Sequence, residues 1–121
     1  MIRLKSTDIS LDKTHPTVWY AVSVAARVWE ELGQELVITA ANEAGHTTNP
    51  DPTRQFHRLP DGSCRAVDLR IWNLPRDLRE SAIETLRTIL GLDYDVIHEL
   101  PDEAGGHVHV QFDPLPGSPN Q

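Results

Sequence analysis

Residues 65–72 read RAVDLRIW, and their alternation of apolar and polar side chains decides how the fold is predicted. In a β-strand, successive side chains point to opposite faces of the sheet. Val67, Leu69 and Ile71 therefore share one face, which is apolar enough to pack against helices. Asp68 and Arg70 share the opposite face, which is free to present polar groups.

The segments on either side of this strand predict two helices and three more strands. Residues 14–34 and 73–91 place apolar side chains at helical spacing, which is typical of amphipathic helices. Residues 35–41, 94–99 and 107–112 are short runs that contain β-branched residues and favour strands. We therefore predict an α+β domain, with a small, mostly antiparallel sheet that carries both helices on one face.

Proline and glycine mark the ends of the predicted helices. Pro16 suits the first turn of the first helix, Thr14 the N-cap region, and Gly33 the C-cap. In the second helix, the apolar spacing predicts a buried stripe that includes Leu86 and Ile89.

Length and composition indicate one globular domain that binds neither nucleic acid nor membranes. We assign residues 1–114 to the domain and residues 115–121, rich in Pro and Gly, to a flexible C-terminal tail. The net charge of −7 argues against binding to phosphate backbones or anionic lipid. The first residues lack the apolar core of a signal peptide, so we expect the chain to be cytoplasmic as synthesised. Action on a cell wall would then require release or export.

The last predicted strand, HVHVQF at 107–112, adds two histidines to the polar face of the sheet. Its valines alternate with His107 and His109, so both imidazoles point away from the helices, as Asp68 does. Two histidines and an aspartate suit Zn²⁺ in a catalytic site that keeps one position for water. The pattern therefore predicts a zinc site on the face opposite the helices.

The segment 42–64 is rich in Asn, Pro, Gly and Thr and is predicted to be a long loop. Loops of this length in compact domains are usually functional or disordered. This loop carries His46 and His57, either of which could reach over the polar face as a further ligand. It ends at Cys64, the only cysteine of the chain. A thiolate is a good zinc ligand, but we assign Cys64 no role.

Two parts of the chain resemble a known family. The segments HRLPDGSCRAVDLR at 57–70 and DVIHE with HVHVQFDP at 95–99 and 107–114 resemble a zinc metallopeptidase superfamily. That superfamily comprises lysostaphin-type enzymes, D-Ala-D-Ala carboxypeptidases and the hedgehog signalling domain, and its small phage and prophage members look closest. The resemblance extends roughly from the first helix to Pro114.

The resemblance implies a role for five residues. By position, His57, Asp68 and His109 would be the zinc ligands. Glu99, at the end of its strand, would be the general base, taking a proton from the attacking water and passing it to the leaving amine. His107 would stabilise the transition state.

The sequence departs from the family pattern in three places. Gln55 stands where the family commonly has Ser, two residues before the first His. More residues than usual separate His57 from Asp68, and the loop between Glu99 and the last strand is longer than usual. Two alternatives therefore stay open: His46 in place of His57 as a ligand, and Glu103 in place of Glu99 as the base.

The resemblance implies a zinc-dependent peptidase that hydrolyses amide bonds in the peptide of bacterial peptidoglycan, of the D,D-carboxypeptidase or phage endolysin type. Arg54 and Gln55 are candidates for binding the substrate, because either could donate to a scissile carbonyl. Trp72, on the same face as Asp68, is a candidate substrate platform. The alternative function is a non-catalytic zinc-binding interaction module, such as a phage structural protein. An enzyme requires a carboxylate base near the metal, and a binding module does not.

Overall fold

The computed structural model describes residues 2–42, 63–99, 106–114 and 116–117. The described residues form five strands, two α-helices and one turn of 3-10 helix. The strands are β1 (Ile2–Leu4), β2 (Leu36–Ala40), β3 (Ala66–Arg70), β4 (Tyr94–Glu99) and β5 (His107–Phe112). The helices are α1 (Pro16–Glu31) and α2 (Arg79–Leu90), and the 3-10 turn is Arg76–Leu78. None of the helices in these described stretches is long and apolar enough to cross a membrane.

The sheet has the strand order β1-β2-β3-β5-β4. Strand β1 runs parallel to β2, and every other pair is antiparallel. The predicted α+β class and the mostly antiparallel sheet are therefore confirmed. Strand β1 was not predicted, because three residues with largely exposed side chains carry no alternation that distinguishes a strand from a loop.

Both helices contribute to one hydrophobic core with the apolar side of the sheet. Val67 and Leu69 of β3 and Val108 and Val110 of β5 are buried in the same cluster as residues of α1 and α2. Trp29 of α1 is completely buried, and its indole N–H donates to the carbonyl oxygen of Arg70 at 3.3 Å. The helices thus cover one face of the sheet and leave the second face to the polar side chains.

The burial of the second helix corrects one prediction. The buried residues of α2 are Ala82, Ile83, Leu86 and Leu90. Ile89 is 49% exposed, so its predicted burial is wrong. At about 100° per residue, the four buried positions span an arc of about 100°, and Ile89 falls about 20° outside it. Apolar spacing alone does not reveal how much of a helical stripe the sheet can cover.

The ends of α1 also differ in part from the prediction. His15, not Thr14, is the N-cap, and its Nδ1 accepts a hydrogen bond from the backbone N–H of Thr17 at 3.3 Å. Thr14 instead pairs with Cys64 in an isolated β-bridge. Gly33 follows the C-cap with φ of +77°, a conformation that glycine adopts without steric cost.

An irregularity in β2 shapes the second face. Ile38 pairs with Leu69, and Ala40 pairs with Asp68. Between these two pairs, the chain moves on by two residues in β2 but by only one residue in β3. A register shift of this kind between Ile38 and Ala40 is typical of a β-bulge or a similar irregularity. As a result, Thr39 and Ala40 both line a cavity that also contacts Asp68.

Candidate functional site

The register of the sheet brings the predicted polar residues together. Asp68 lies opposite His109, and Arg70 opposite His107, in the β3–β5 pair. In the β4–β5 pair, Glu99 lies opposite His107. Residues directly opposite in antiparallel strands point to the same face with their Cβ atoms about 5 Å apart. The second face therefore carries Asp68, Glu99, His107 and His109, which we call the four-residue cluster.

Each carboxylate of the four-residue cluster lies near both imidazoles. Asp68 Oδ1 is 2.9 Å from His109 Nδ1, and Asp68 Oδ2 is 3.6 Å from His107 Nε2. Glu99 Oε1 is 3.2 Å from His107 Nε2 and 3.6 Å from His109 Nδ1. The alternation of β3 and β5 predicted that Asp68 and both histidines share a face, and the structure places them in contact.

Burial is graded across the cluster. Asp68 is only 4% exposed, whereas the side chain of Glu99 is 45% exposed. A buried carboxylate is costly unless it is paired with a positive group or a metal. The cluster is therefore closed at Asp68 and open to solvent at Glu99, so an incoming molecule would meet Glu99 first.

The surroundings of His109 favour positive charge at its ring. Burial lowers the pKa of His109, but hydrogen bonds to Asp68 and Gln111 and the nearby Glu99 carboxylate outweigh burial, so the net pKa is raised. A cation that replaced the proton at Nδ1 would meet the same two carboxylates. The site therefore suits a metal cation on electrostatic grounds as well as by the type of its side chains.

A chain of two hydrogen bonds orients His109. The amide nitrogen of Gln111 donates to Asp95 Oδ2 at 2.8 Å, so the amide oxygen is directed at His109. That oxygen lies 2.8 Å from His109 Nε2, which must carry a proton to donate to it. Nδ1 is then the nitrogen that faces Asp68 and Glu99. A second hydrogen-bond partner of this kind commonly fixes the tautomer of a metal-binding histidine.

Gln111 and Asp95 were not predicted from the sequence as site residues, although alternation provides the signal. In β5, Gln111 is two residues from His109 and points to the same face. In β4, Asp95 is four residues from Glu99 and also points to the same face as Glu99. Gln111 pairs with Asp95 in the β4–β5 register, which brings their side chains together.

We expect the Gln111→Leu variant to bind zinc about 10- to 100-fold more weakly than the wild type, the usual effect of losing such a partner. Leucine is similar in size but cannot accept the proton of His109 Nε2, so the ring is free to turn or change tautomer. Competition with a chromogenic chelator measures the affinity. The control variant is Gln34→Leu, because Gln34 follows the end of α1 and is far from Gln111 in the sequence. Equal affinity in wild type and Gln111→Leu would show that this hydrogen bond does not orient the ligand.

Three residues of the cluster form a group that could hold a metal ion. One ligand atom from each of Asp68, Glu99 and His109 lies within 4.8 Å of the other two. Nitrogen and oxygen donors of this kind are found in catalytic zinc sites. Glu99 was predicted to be the base, and the structure places it close enough to be a ligand instead. This position of Glu99 is the main chemical question of the site.

Several predicted residues lie outside the described part of the chain. These are His57, the predicted third ligand, with its alternative His46; Arg54 and Gln55; and Glu103. Their roles stay predictions. Cys64 is described and buried, and its Sγ–H donates to the carbonyl oxygen of Ala66 at 2.9 Å.

Comparisons of this chain with family models, with curated proteins and with solved structures give no match. The resemblance to zinc metallopeptidases therefore stays a prediction.

Proposed function

We propose that the protein is a zinc-dependent peptidase that hydrolyses an amide bond in the peptide of bacterial peptidoglycan. The observation that carries this proposal is the convergence of two carboxylates and two imidazoles at one solvent-open point of the sheet. Metal-assisted hydrolysis requires ligands, a base and access for substrate, and the cluster offers each of these. The peptidoglycan substrate comes from the family resemblance of the sequence.

The residues of the cluster fit a zinc ion. Asp68 and His109 would hold it, and the family pattern adds His57 as the third ligand. Asp68 is buried and His109 Nδ1 is directed at it, so these two ligands are held in place by the sheet. When bound, zinc polarises a substrate carbonyl and makes water more acidic.

Glu99 is the residue that would move the proton. It lies at the end of β4, where a strand fixes its backbone, and its exposed carboxylate contacts His107. In hydrolysis, Glu99 takes a proton from the attacking water and delivers it to the nitrogen of the leaving amine. His107 lies beside Glu99, where its ring N–H can donate to the carbonyl oxygen as negative charge develops there.

One observation supports the alternative function of a non-catalytic zinc-binding module. Glu99 belongs to the group of candidate ligands together with Asp68 and His109. If His57 were a fourth ligand, the coordination of a tetrahedral ion would be complete, as in structural zinc sites. The protein would then bind a partner through this face and cleave nothing.

A chelation experiment tests the peptidase proposal. We expect a chelator to abolish hydrolysis of a purified muropeptide, followed by mass spectrometry, and added zinc to restore it. The far-UV circular dichroism spectrum should persist at room temperature and only the Tm should fall, because the core of α1, α2 and the sheet contains no cluster residue.

Two results would contradict the proposal. Hydrolysis that continues after zinc has been removed, as verified by elemental analysis, would exclude a metal-dependent mechanism. Loss of the helical signal on chelation would instead indicate a structural metal of the kind found in zinc fingers.

A further inference from the structure

Strand β4 is the outermost strand at one end of the sheet, so within the described stretches it has a strand neighbour on one side only. In an antiparallel pair, alternate residues point their backbone N–H and C=O groups toward the neighbouring strand and away from it. Asp113 donates its N–H to the carbonyl oxygen of Asp93 at 2.8 Å, so Asp93 and every second residue after it point toward β5. Tyr94, Val96 and His98 therefore point their backbone groups outward, and we call these outward groups the β4 edge.

Part of the β4 edge is already hydrogen-bonded within the protein. Tyr94 donates its N–H to the carbonyl oxygen of Gly91 at 3.3 Å. Arg87 of α2 donates two N–H groups to the carbonyl oxygen of Val96, at 3.0 and 2.8 Å. The backbone N–H groups of Val96 and His98 have no acceptor among the described residues. Open donors along an outer strand are a ready-made template for pairing with another chain.

Exposed apolar side chains flank the β4 edge. Ile97 lies opposite His109, and therefore on the second face, where it is 46% exposed. Leu92, which follows α2, is 81% exposed. Both side chains line one groove together with Tyr94 and Val96. A polypeptide that adds a strand to a sheet gains affinity from main-chain hydrogen bonds and specificity from pockets for its alternate side chains. The β4 edge and its groove offer both.

The side chains next to Ile97 on the second face are acidic. Asp95 and Asp93 lie two and four residues before Ile97, so all three point to the same face. Asp95 accepts a hydrogen bond from the neutral amide of Gln111, which does not cancel its charge. The whole chain has a net charge of −7. Because opposite charges directly across two strands stabilise the pair, this edge favours a basic partner strand.

Two copies of this chain would oppose carboxylates if they paired through the β4 edge. In a two-fold antiparallel pair centred on Val96, Asp93 of one copy lies opposite Glu99 of the other. A pair centred on Ile97 places Asp95 opposite Glu99, and one centred on Asp95 places that residue opposite its own copy. Like charges directly opposite each other across strands are destabilising. Charge therefore favours a different, basic chain over a second copy.

We propose that the β4 edge binds an extended segment of another polypeptide, which adds to the sheet as an antiparallel strand. On the second face, the segment carries basic residues opposite Asp93 and Asp95 and an apolar residue opposite Ile97. On the helix side, it places an apolar side chain in the groove beside Leu92. This inference does not rest on the proposed function, since the backbone donors of the edge point away from the cluster.

The test uses a synthetic peptide that matches this pattern, acetyl-Lys-Thr-Val-Val-Lys-Leu-Lys-amide. Its control has the same composition without the alternation, acetyl-Lys-Lys-Lys-Thr-Val-Val-Leu-amide. Binding of each labelled peptide to the full chain is measured by fluorescence anisotropy. Hydrogen exchange of the Val96 and His98 amides is followed by NMR with and without the peptide.

A matched pair of variants isolates the backbone donor. His98→Pro removes an outward N–H and leaves the bonds between β4 and β5 in place, as proline on an outer strand can. His98→Ala removes the imidazole but keeps the N–H. If His98→Pro does not fold, hydrogen exchange in the wild type decides.

We expect the alternating peptide to bind more tightly than its control and to protect the Val96 and His98 amides from exchange. His98→Pro should weaken binding roughly 3- to 10-fold, the usual effect of one lost hydrogen bond, while His98→Ala binds like the wild type. Equal binding of both peptides, or binding that protects neither amide, would reduce the contact to charge attraction and overturn the proposal. No binding would overturn it as well. A dimer in sedimentation without peptide, with both amides protected, would assign the β4 edge to a second copy instead.

Discussion

Replacing Glu99 by glutamine is expected to lower kcat for muropeptide hydrolysis by about 100- to 10,000-fold, the usual effect of removing a positioned general base. Glutamine keeps the shape of the side chain but cannot accept the proton. Because a base is not a ligand, zinc content and the far-UV spectrum should stay at the wild-type level. Steady-state kinetics and elemental analysis of the same preparation measure both effects.

The chain offers a matched control for this variant. Glu80 of α2 contacts His98 at 3.1 Å, as Glu99 contacts His107 at 3.2 Å, but His98 lies on the helix side of β4. Glu80→Gln should therefore leave kcat unchanged. Glu103→Gln tests the alternative base and should have little effect. A large loss of kcat in Glu103→Gln, with none in Glu99→Gln, would identify Glu103 as the general base.

Glu99→Gln also separates the two candidate functions. If zinc is lost together with activity, Glu99 is a ligand, as its place in the candidate ligand group allows. If zinc stays bound and the wild type cleaves no peptidoglycan fragment, the binding-module function gives the better account.

The second large effect is expected at the ligands. Asp68→Asn and His109→Ala should each bind less than a tenth of the zinc held by the wild type, because two remaining protein ligands are too few for a stable site. Asparagine is isosteric with aspartate, so a loss there reports charge and not packing. His107→Ala should keep its zinc. Equilibrium dialysis followed by elemental analysis measures the stoichiometry.

Two control variants make the same substitutions, Asp to Asn and His to Ala, at residues outside the cluster. Asp77→Asn alters an exposed aspartate of the 3-10 turn, and His98→Ala removes a histidine of the opposite face. Both should bind zinc like the wild type. His57→Ala and His46→Ala identify the third ligand, and we expect the loss in His57→Ala. Unchanged zinc in both Asp68→Asn and His109→Ala would mean that the cluster is not a metal site.

The local pattern of the sequence was sufficient to predict which face of the sheet the residues of β3 and β5 occupy. The alternation in β3 and β5 assigned Asp68, His107 and His109 to one side, and the paired strands show this arrangement. Side-chain direction in a strand follows from backbone geometry alone, so a single strand carries the information.

Partners across strands could not be predicted in the same way. Register depends on contacts between residues distant in sequence, so the sequence did not indicate that Asp68 faces His109 or that Glu99 faces His107. The hydrogen bond between Gln111 and Asp95 follows from the β4–β5 register, and the irregularity at Thr39 follows from the pairing of β2 with β3.

Anomalous diffraction at the zinc edge from crystals of the zinc-loaded protein would show whether the four-residue cluster binds one zinc ion. We expect one strong anomalous peak per chain, about 2.0–2.2 Å from a carboxylate oxygen of Asp68 and from Nδ1 of His109. A peak only at His15 or His98, or no peak on the second face at full zinc loading, would contradict it.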